Sequence, residues 1–402
     1  MPSATLTGAS GPLLCADLPP LEVGKGRKVH IQDLVALCRS AAVAILDVYT
    51  RPEEEWELEH KEGHEPLTKA DLDANAILTD GLRRLCPDCL LVSEESALAS
   101  HEDRQAAEFV WLVDPLDGTK EFLKRSGEFT INLGLCRYGD PVFGIVAVPV
   151  EDRIYLGGVV VGGAWEMEGS NQTLTPMRCS TFKWADKGLR VTASSSHNSP
   201  GTRAFAARLN EPKLIRAGSS LKFVRLARGD AEVYPRFALC SEWDTCAPHA
   251  LLRAAGGEIW RWSDAATGGP QGPLEYNKPS LLSPFFVAVA RLQDGEDTAP
   301  PAAPSSYQKT IIPAHKQRVA VTRGHNRVPR YPTSCLSPSG PDILHCMATT
   351  RLEKPRETVP IRQSRQFVQQ MSEVAYFLKS PAAAEPGAAV YEIGWSHGRM
   401  VS

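Results

Sequence analysis

The sequence predicts an α/β layer structure, and three observations point to it. Two amphipathic helices stand near the N-terminus, short apolar runs between residues 90 and 161 read as strands of a sheet, and strands alternate with helices from residue 190 to about 255.

Taken in order, residues 1 to about 26 are punctuated by Pro and Gly and form an N-terminal extension. Val29 to Tyr49 carries Ile31, Leu34, Val35, Cys38, Ala42, Ile45 and Val48 on one stripe, the period of an amphipathic helix. Glu53 to Glu65 is polar and strongly acidic, a hairpin or loop. Asp71 to Leu85 is a second helix with Ile77, Leu78, Leu82 and Leu85 facing inward. After a turn around Pro87 come the apolar runs Leu90 to Val92, Phe109 to Val113, Thr130 to Cys136, Val142 to Val148 and Ile154 to Val161, each of strand length. The second half alternates a strand (Arg190 to Ala193), a helix (Thr202 to Leu209), a strand (Lys213 to Arg216), a helix (Leu221 to Arg228), a strand (Glu232 to Tyr234) and a helix (Thr245 to Ala255). The periodic signal ends near Ala290. From Leu292 the composition changes, with eleven prolines between Pro301 and Ser402 and one helical stripe near Phe367 to Leu378, so residues 293 to 402 are expected to be an unstructured tail.

The 402 residues carry 44 Lys+Arg against 47 Asp+Glu, a net charge of −3 that is unevenly spread. Residues 301 to 402 hold 13 Lys+Arg against 6 Asp+Glu, a net of +7, which leaves −10 on residues 1 to 300. An acidic body makes a poor phosphate-backbone surface, and no nucleic-acid partner is expected. At 43% hydrophobic and 23% charged, the chain as a whole cannot be intrinsically disordered. The longest relevant apolar run, Val142 to Val150, is interrupted by Gly144 and Pro149 and is too short for a membrane span. The N-terminus lacks a basic region followed by an apolar one, so a cytoplasmic protein is expected, with an organelle as the alternative. Ten cysteines without a secretion signal read as reduced thiols. Cys86-Pro-Asp-Cys89 has no second pair to complete a zinc site and reads as two ordinary thiols in a turn.

The strongest local signal is Asp114-Pro-Leu-Asp117-Gly-Thr119 at the end of an apolar strand. Alone it would be a tight turn, since Asp, Pro and Gly are turn residues. Glu94-Glu95 also follows a short apolar strand, Trp243-Asp244 immediately precedes a helix, and Asp71 opens one in the manner of an N-cap. Several carboxylates gathered at one sheet edge repel one another unless a cation neutralises them. All these groups are hard oxygens with no His or Cys at ligand spacing, which favours Mg²⁺ or Mn²⁺ over zinc. Magnesium implies a phosphate substrate, and Gly118-Thr119 ahead of a short helix offers backbone N–H groups to a phosphoryl oxygen.

The order Leu67-Thr-Lys-Ala-Asp71, Val92-Ser-Glu94-Glu95, Trp111-Leu-Val-Asp114-Pro-Leu-Asp117-Gly-Thr119 and Glu242-Trp-Asp244 resembles the lithium-sensitive, magnesium-dependent phosphatases of the inositol monophosphatase superfamily. Gly118-Thr-Lys-Glu-Phe122 is most similar to the CysQ-type 3'(2'),5'-bisphosphate nucleotidases, and Gly218-Ser-Ser-Leu-Lys-Phe223, Tyr234-Pro-Arg-Phe237 and Tyr276-Asn-Lys-Pro-Ser280 add support. The resemblance runs from about residue 27 to 291. It implies alternating helix and sheet layers in two subdomains, residues 27–165 with the metal site and 166–292 completing it. It implies that Glu94, Asp114, the Leu116 carbonyl, Asp117 and Asp244 hold two or three Mg²⁺ ions, and that Asp71 and Thr119 orient and deprotonate the attacking water. Substrate contacts are implied at Leu116, Asp117, Gly118, Thr119, Ser194, His197, Gly218, Ser219, Lys222 and Asp244, with His197 and Lys222 meeting the phosphate that is not cleaved. The implied reaction removes the 3'-phosphate of adenosine 3',5'-bisphosphate, with 3'-phosphoadenylyl sulfate as a further substrate. The rivals are an inositol phosphate phosphatase on the same metals and a nucleotide-sensing binding protein whose basic tail contacts a partner. Nothing in the sequence fixes an oligomeric state.

Overall fold

The computed structural model describes residues 12–61, 66–170, 172–194, 199–296 and 299–300. Its layers follow from which runs are apolar on one side and which on both. Helix α1 (Ile31–Tyr49) buries Ile31, Leu34, Val35, Cys38, Ala41, Ile45 and Val48, the stripe its period demands, and packs beside α2 (Lys69–Leu85). Both cover one face of a seven-stranded sheet. Its strands, β1 (Leu90–Ser93), β2 (Phe109–Asp117), β3 (Thr130–Arg137), β4 (Asp140–Val148), β5 (Arg153–Gly158), β6 (Gly163–Glu168) and β7 (Thr175–Pro176), lie side by side in chain order. Only the β1–β2 pair is parallel, because α3 (His101–Ala106) intervenes there; the other neighbours are antiparallel.

Along β2, Phe109, Trp111 and Val113 pack with α1 and α2, whereas Val110 and Leu112 pack with α7 (Glu242–Ala254) on the opposite face. A strand covered on both sides has no polar face, which is why these strands read as unbroken apolar runs. Helix α7 reaches the sheet closely because Gly134 and Gly144, directly paired across β3 and β4, present no side chain to it. A Cβ at Gly134 would stand 2.7 Å from the Ala247 nitrogen, and one at Gly144 2.1 Å from the Ala247 carbonyl oxygen.

Beyond α7 and α6 (Leu221–Ala227) lies a six-stranded sheet of β8 (Arg190–Ser194), β9 (Lys213–Ala217), β10 (Val233–Arg236), β11 (Glu258–Trp262), β12 (Pro270–Pro273) and β13 (Phe286–Val289), in the spatial order β9-β8-β10-β13-β11-β12. Phe286 and Ala288 of β13 face the helices, while Val287 and Val289 join Phe205 of α5 (Pro200–Ala206) on the far side. The described residues therefore stack as helix, sheet, helix, sheet, helix, the α/β layering expected. They all fall in the unit Met1–Arg318.

Several boundaries differ from expectation. Helix α1 begins at Ile31 because Lys28–Val29 pair with Leu21–Glu22, and Leu18, Leu21 and Val23 of the N-terminal extension are buried against the core. Thr68, not Asp71, is the N-cap of α2; Asp71 is its third residue and bonds back to the cap. Asp244 likewise lies inside the first turn of α7, capped by Ser241, rather than ahead of the helix. The acidic stretch after Glu53 makes a short 3₁₀ turn and a hairpin that pairs Glu59–His60 with Pro66–Leu67. The run ending at Val161 stops as a strand at Gly158, and β6 was not anticipated. Chain order continues past Leu292: Gln293 N donates to the Phe182 carbonyl and Arg208 Nη2 to that of Pro300, at 2.9 and 2.8 Å. The remaining tail, with the stripe Phe367 to Leu378, lies outside the described residues. Among the described residues no helix is long and apolar enough to cross a membrane.

Candidate active site

Strand β2 ends in an irregularity that builds the site. Asp114 pairs with Asn132 but Asp117 with Thr130, so β2 carries one residue more than its partner, and Pro115 in between has no N–H for the ladder. The buried Asp114 carboxylate is fixed by the Leu116 N–H, which donates to its Oδ1 at 3.0 Å. Gly118 follows with φ 98°, a left-handed conformation suited to glycine, and turns the chain into α4 (Thr119–Leu123). Beside this turn, the Glu94 N–H donates to the Val113 carbonyl at 3.1 Å, which holds the residue after β1 next to Asp114. Asp244 arrives from the N-terminus of α7, its Oδ2 accepting from Ser241 N and Cys240 Sγ, each at 3.2 Å.

These elements converge. One oxygen from each of Glu94, Asp114 and Asp244 lies within 4.8 Å of the others. Burial, reinforced by Glu94, Asp117 and Asp244, holds the Asp114 carboxyl well above the usual carboxylate range. Burial first, then Asp117 and Glu94, push Asp244 up to about 7, and burial likewise raises Glu94. Three carboxylates so placed ionise together only around a cation. The donor set, all carboxylate oxygen, fits Mg²⁺. The chain supplies part of the compensating charge: Lys61 Nζ donates to Glu94 Oε1 at 2.6 Å and also to Glu95. Sequence reasoning missed Lys61, because nothing in its spacing ties it to a carboxylate 33 residues away.

Asp117 lines the same cavity, but its Oδ2 accepts from Ser219 Oγ and Ser220 Oγ at 2.7 and 2.8 Å, so one of its oxygens is engaged with the loop before α6. Asp71 is buried, with Oδ2 taking Thr68 N and Oγ1 at 2.7 and 2.6 Å, while its Oδ1 accepts from Thr119 Oγ1 at 3.2 Å. Burial raises its pKa against the pull of Thr68. A hydroxyl thus stands between the cavity and a carboxylate of raised proton affinity.

The cavity measures about 410 Å³ and takes in Glu94, Asp114, Leu116, Asp117, Gly118, Thr119 and Asp244 at its acidic end. Ser194, Ser219 and Lys222 also line it. Gly218 is not among the lining residues: its N–H donates to Glu128 Oε2 at 2.9 Å, and a Cβ there would stand 2.7 Å from the Glu128 carbonyl oxygen. His197 lies outside the described residues. Arg236, Tyr234 and Cys240 line the cavity without having been assigned a role from sequence. The Cys86–Cys89 pair lies elsewhere, at the C-terminal end of α2, with both thiols free.

Residues 29–291 match the model of the inositol monophosphatase family. The chain is 38% identical over 259 residues to the 3'(2'),5'-bisphosphate nucleotidase CysQ of Shigella flexneri, and 37% identical to that of Escherichia coli (strain K12); each match spans 64% of this chain and 98% of the relative. Among solved structures, CysQ from Bacteroides thetaiotaomicron superposes with a TM-score of 0.55 at 33% identity, over 65% of this chain and 98% of its own.

Proposed function

Since the chain belongs to the inositol monophosphatase family, we propose that it is a magnesium-dependent phosphatase that removes the 3'-phosphate of adenosine 3',5'-bisphosphate, giving AMP and phosphate. One observation carries the reading. The buried Asp114 and half-buried Glu94 and Asp244 carboxylates share a cavity with Thr119, whose hydroxyl is bonded to Asp71, which supports a cation site and a proton path at one place. The nucleotide rather than the inositol ester is favoured by the CysQ relatives, which match nearly along their whole length.

Glu94, Asp114 and Asp244 would hold Mg²⁺, with Asp117 and the Leu116 carbonyl completing a set for two or three ions. Bound there, Mg²⁺ lowers the pKa of water and neutralises charge on the phosphoryl and leaving oxygens. Thr119 Oγ1 accepts a proton from the attacking water as it passes its own to Asp71 Oδ1, whose burial makes it a willing base. Thr68 and the capping geometry of α2 keep that carboxylate aimed at Thr119. Ser219 and Ser220 hold Asp117 in place and the Leu116 N–H holds Asp114, a fixed carboxylate arrangement that favours in-line displacement at a phosphate seated beside it. Ser194, His197, Ser219 and Lys222 would contact the nucleotide, and 3'-phosphoadenylyl sulfate would fit the same arrangement.

Phosphate release on adenosine 3',5'-bisphosphate, 3'-phosphoadenylyl sulfate and inositol 1-phosphate, with and without Mg²⁺ and with added Li⁺, tests this. The nucleotide should be preferred, activity should need Mg²⁺, and Li⁺ should inhibit. A preference for the inositol ester would overturn the substrate assignment.

A further inference from the structure

The Cys86-Pro-Asp-Cys89 segment joins the C-terminal end of α2 to β1 and takes no part in the cavity. Pro87 and Asp88 form a tight turn in which the Cys89 N–H donates to the Cys86 carbonyl at 3.1 Å. Such a turn keeps its first and fourth Cα atoms within about 7 Å, a separation that a disulfide spans. Pro87 restricts the backbone at the second position, and Asp88 is tied to Lys25 and Arg27 ahead of α1, at 2.6 and 3.7 Å. The turn therefore holds its shape. Its two free thiols share a hydrogen bond, with Cys86 2% exposed and Cys89 half-buried.

That bond makes the two sulfurs unequal. It draws the Cys86 thiol below its ordinary value against the effect of burial, helped by the buried Trp111 indole N–H, which has no other partner among the described residues. The same bond, and then burial, hold Cys89 up. The inner sulfur thus carries the negative charge, while the outer one meets solvent and keeps the proton. A thiol that reaches solvent beside a thiolate able to take its proton is equipped for thiol–disulfide exchange. A second pair gives the contrast. Cys136 of β3 and Cys246 of α7 also touch, but both are sealed between sheet and helix, where burial above all holds the Cys246 thiol well above its ordinary value.

We infer that Cys86 and Cys89 form a redox-active dithiol that reacts with the disulfide of a small thiol compound and closes into an intramolecular disulfide. As Cys89 Sγ attacks one sulfur of that oxidant, its proton passes to Cys86 Sγ, and the oxidant's S–S bond breaks to release one thiolate. Cys86 Sγ hands the proton to the released thiolate, attacks Cys89 Sγ and expels the second fragment as a thiolate, which solvent protonates. Two protein sulfurs are oxidised and one S–S bond is reduced to two thiol molecules. The turn lies outside the active-site cavity, so the inference goes beyond the phosphatase reading and stands or falls without it.

The full-length folded chain is incubated with oxidised glutathione, quenched with acid, alkylated in denaturant and cut with trypsin. The peptide 85–104 contains both sulfurs and no other cysteine. It should lose both alkylation sites and two hydrogens, and regain them after dithiothreitol, while Cys136 and Cys246 stay alkylatable. In Cys86→Ser, Cys89 should retain the glutathione adduct that the wild type resolves, and in Cys89→Ser, Cys86 should stay free. Two free thiols in the wild-type peptide, or a lasting adduct in place of the disulfide, would overturn the inference. So would equal oxidation of Cys136 and Cys246, because the reacting species would then be an opened chain. Should a Ser variant not fold, rapid quenching of the wild type decides the order: the adduct on Cys89 should precede the disulfide, and an adduct on Cys86 would refute the assignment.

Discussion

Replacing Asp244 by Asn isolates what the fold loses by holding its acidic cluster without a cation. In the metal-free protein the Asp244 carboxyl titrates at about 7 instead of 3.8, through burial first and then the charges of Asp117 and Glu94. The folded value lies above the unfolded one, so the stabilisation is fully present below about pH 4 and is lost as pH rises through 7. At about 1.4 kcal/mol per tenfold change in proton affinity, the loss is at most about 4 kcal/mol, and roughly 2–3 kcal/mol once the cavity-facing side of the carboxylate is allowed its water. Asn keeps the shape and can accept the Ser241 N–H as the Asp does, but carries no charge. Metal-free Asp244→Asn should therefore melt roughly 5–10 °C above metal-free wild type at pH 8, with the two converging near pH 4. Magnesium should reverse the order, raising the wild-type Tm and leaving the variant nearly unmoved. Thermal melts by near-UV circular dichroism in EDTA and in Mg²⁺ across this pH range give the comparison. A metal-free variant that melts at or below wild type at pH 8 would refute the electrostatic account of the cluster.

Asp117→Asn should lower kcat on the order of 10²–10³-fold while leaving far-UV circular dichroism unchanged, and near-normal turnover would remove Asp117 from the metal set. Thr119→Val, which deletes the hydroxyl bonded to Asp71, should cost on the order of 10²–10⁴-fold in kcat, with Thr119→Ser recovering most of it; a Ser variant as poor as Val would argue against a proton path through this oxygen. Gly144→Ala places a Cβ 2.1 Å from the Ala247 carbonyl oxygen and should cost about 3 kcal/mol in urea unfolding as α7 is displaced, whereas an unchanged midpoint would mean the helix has slack.

Much of the site was legible because acids at strand and helix ends have few structural uses in such number, and Asp114-Pro-Leu-Asp117-Gly-Thr119 announces its own bulge and turn. Asp71 and Asp244 were legible as acids near helix starts, but their capping geometry was not: each sits inside its helix, because Thr68 and Ser241 take the cap. Lys61, Cys240 and Arg236 were illegible as site residues for a different reason. Lys61 meets Glu94 only through the fold, 33 residues on, whereas Cys240 and Arg236 have partners close in sequence, Asp244 and Leu239, but a lone Cys or Arg by a strand end carries no periodicity to mark it. The layer order was readable from alternation, whereas β6 was missed because Gly163–Glu168 mixes Gly and acids and lacks a clear period. Gly134 and Gly144 look like strand weaknesses in sequence; only the approach of α7 explains them.

The place of α7 between the two sheets also sets a timetable for the chain as it leaves the ribosome. Asp71, Glu94 and Asp114 emerge early, whereas Asp244 follows well over a hundred residues later, with the helix that covers Val110, Leu112 and Val146. Until that helix emerges, the growing polypeptide exposes an apolar sheet face to the cell and holds an incomplete ion site. Tight magnesium capture would then mark the end of biosynthetic folding, and a nascent chain stalled before residue 242 would be a client for chaperones rather than a weak enzyme.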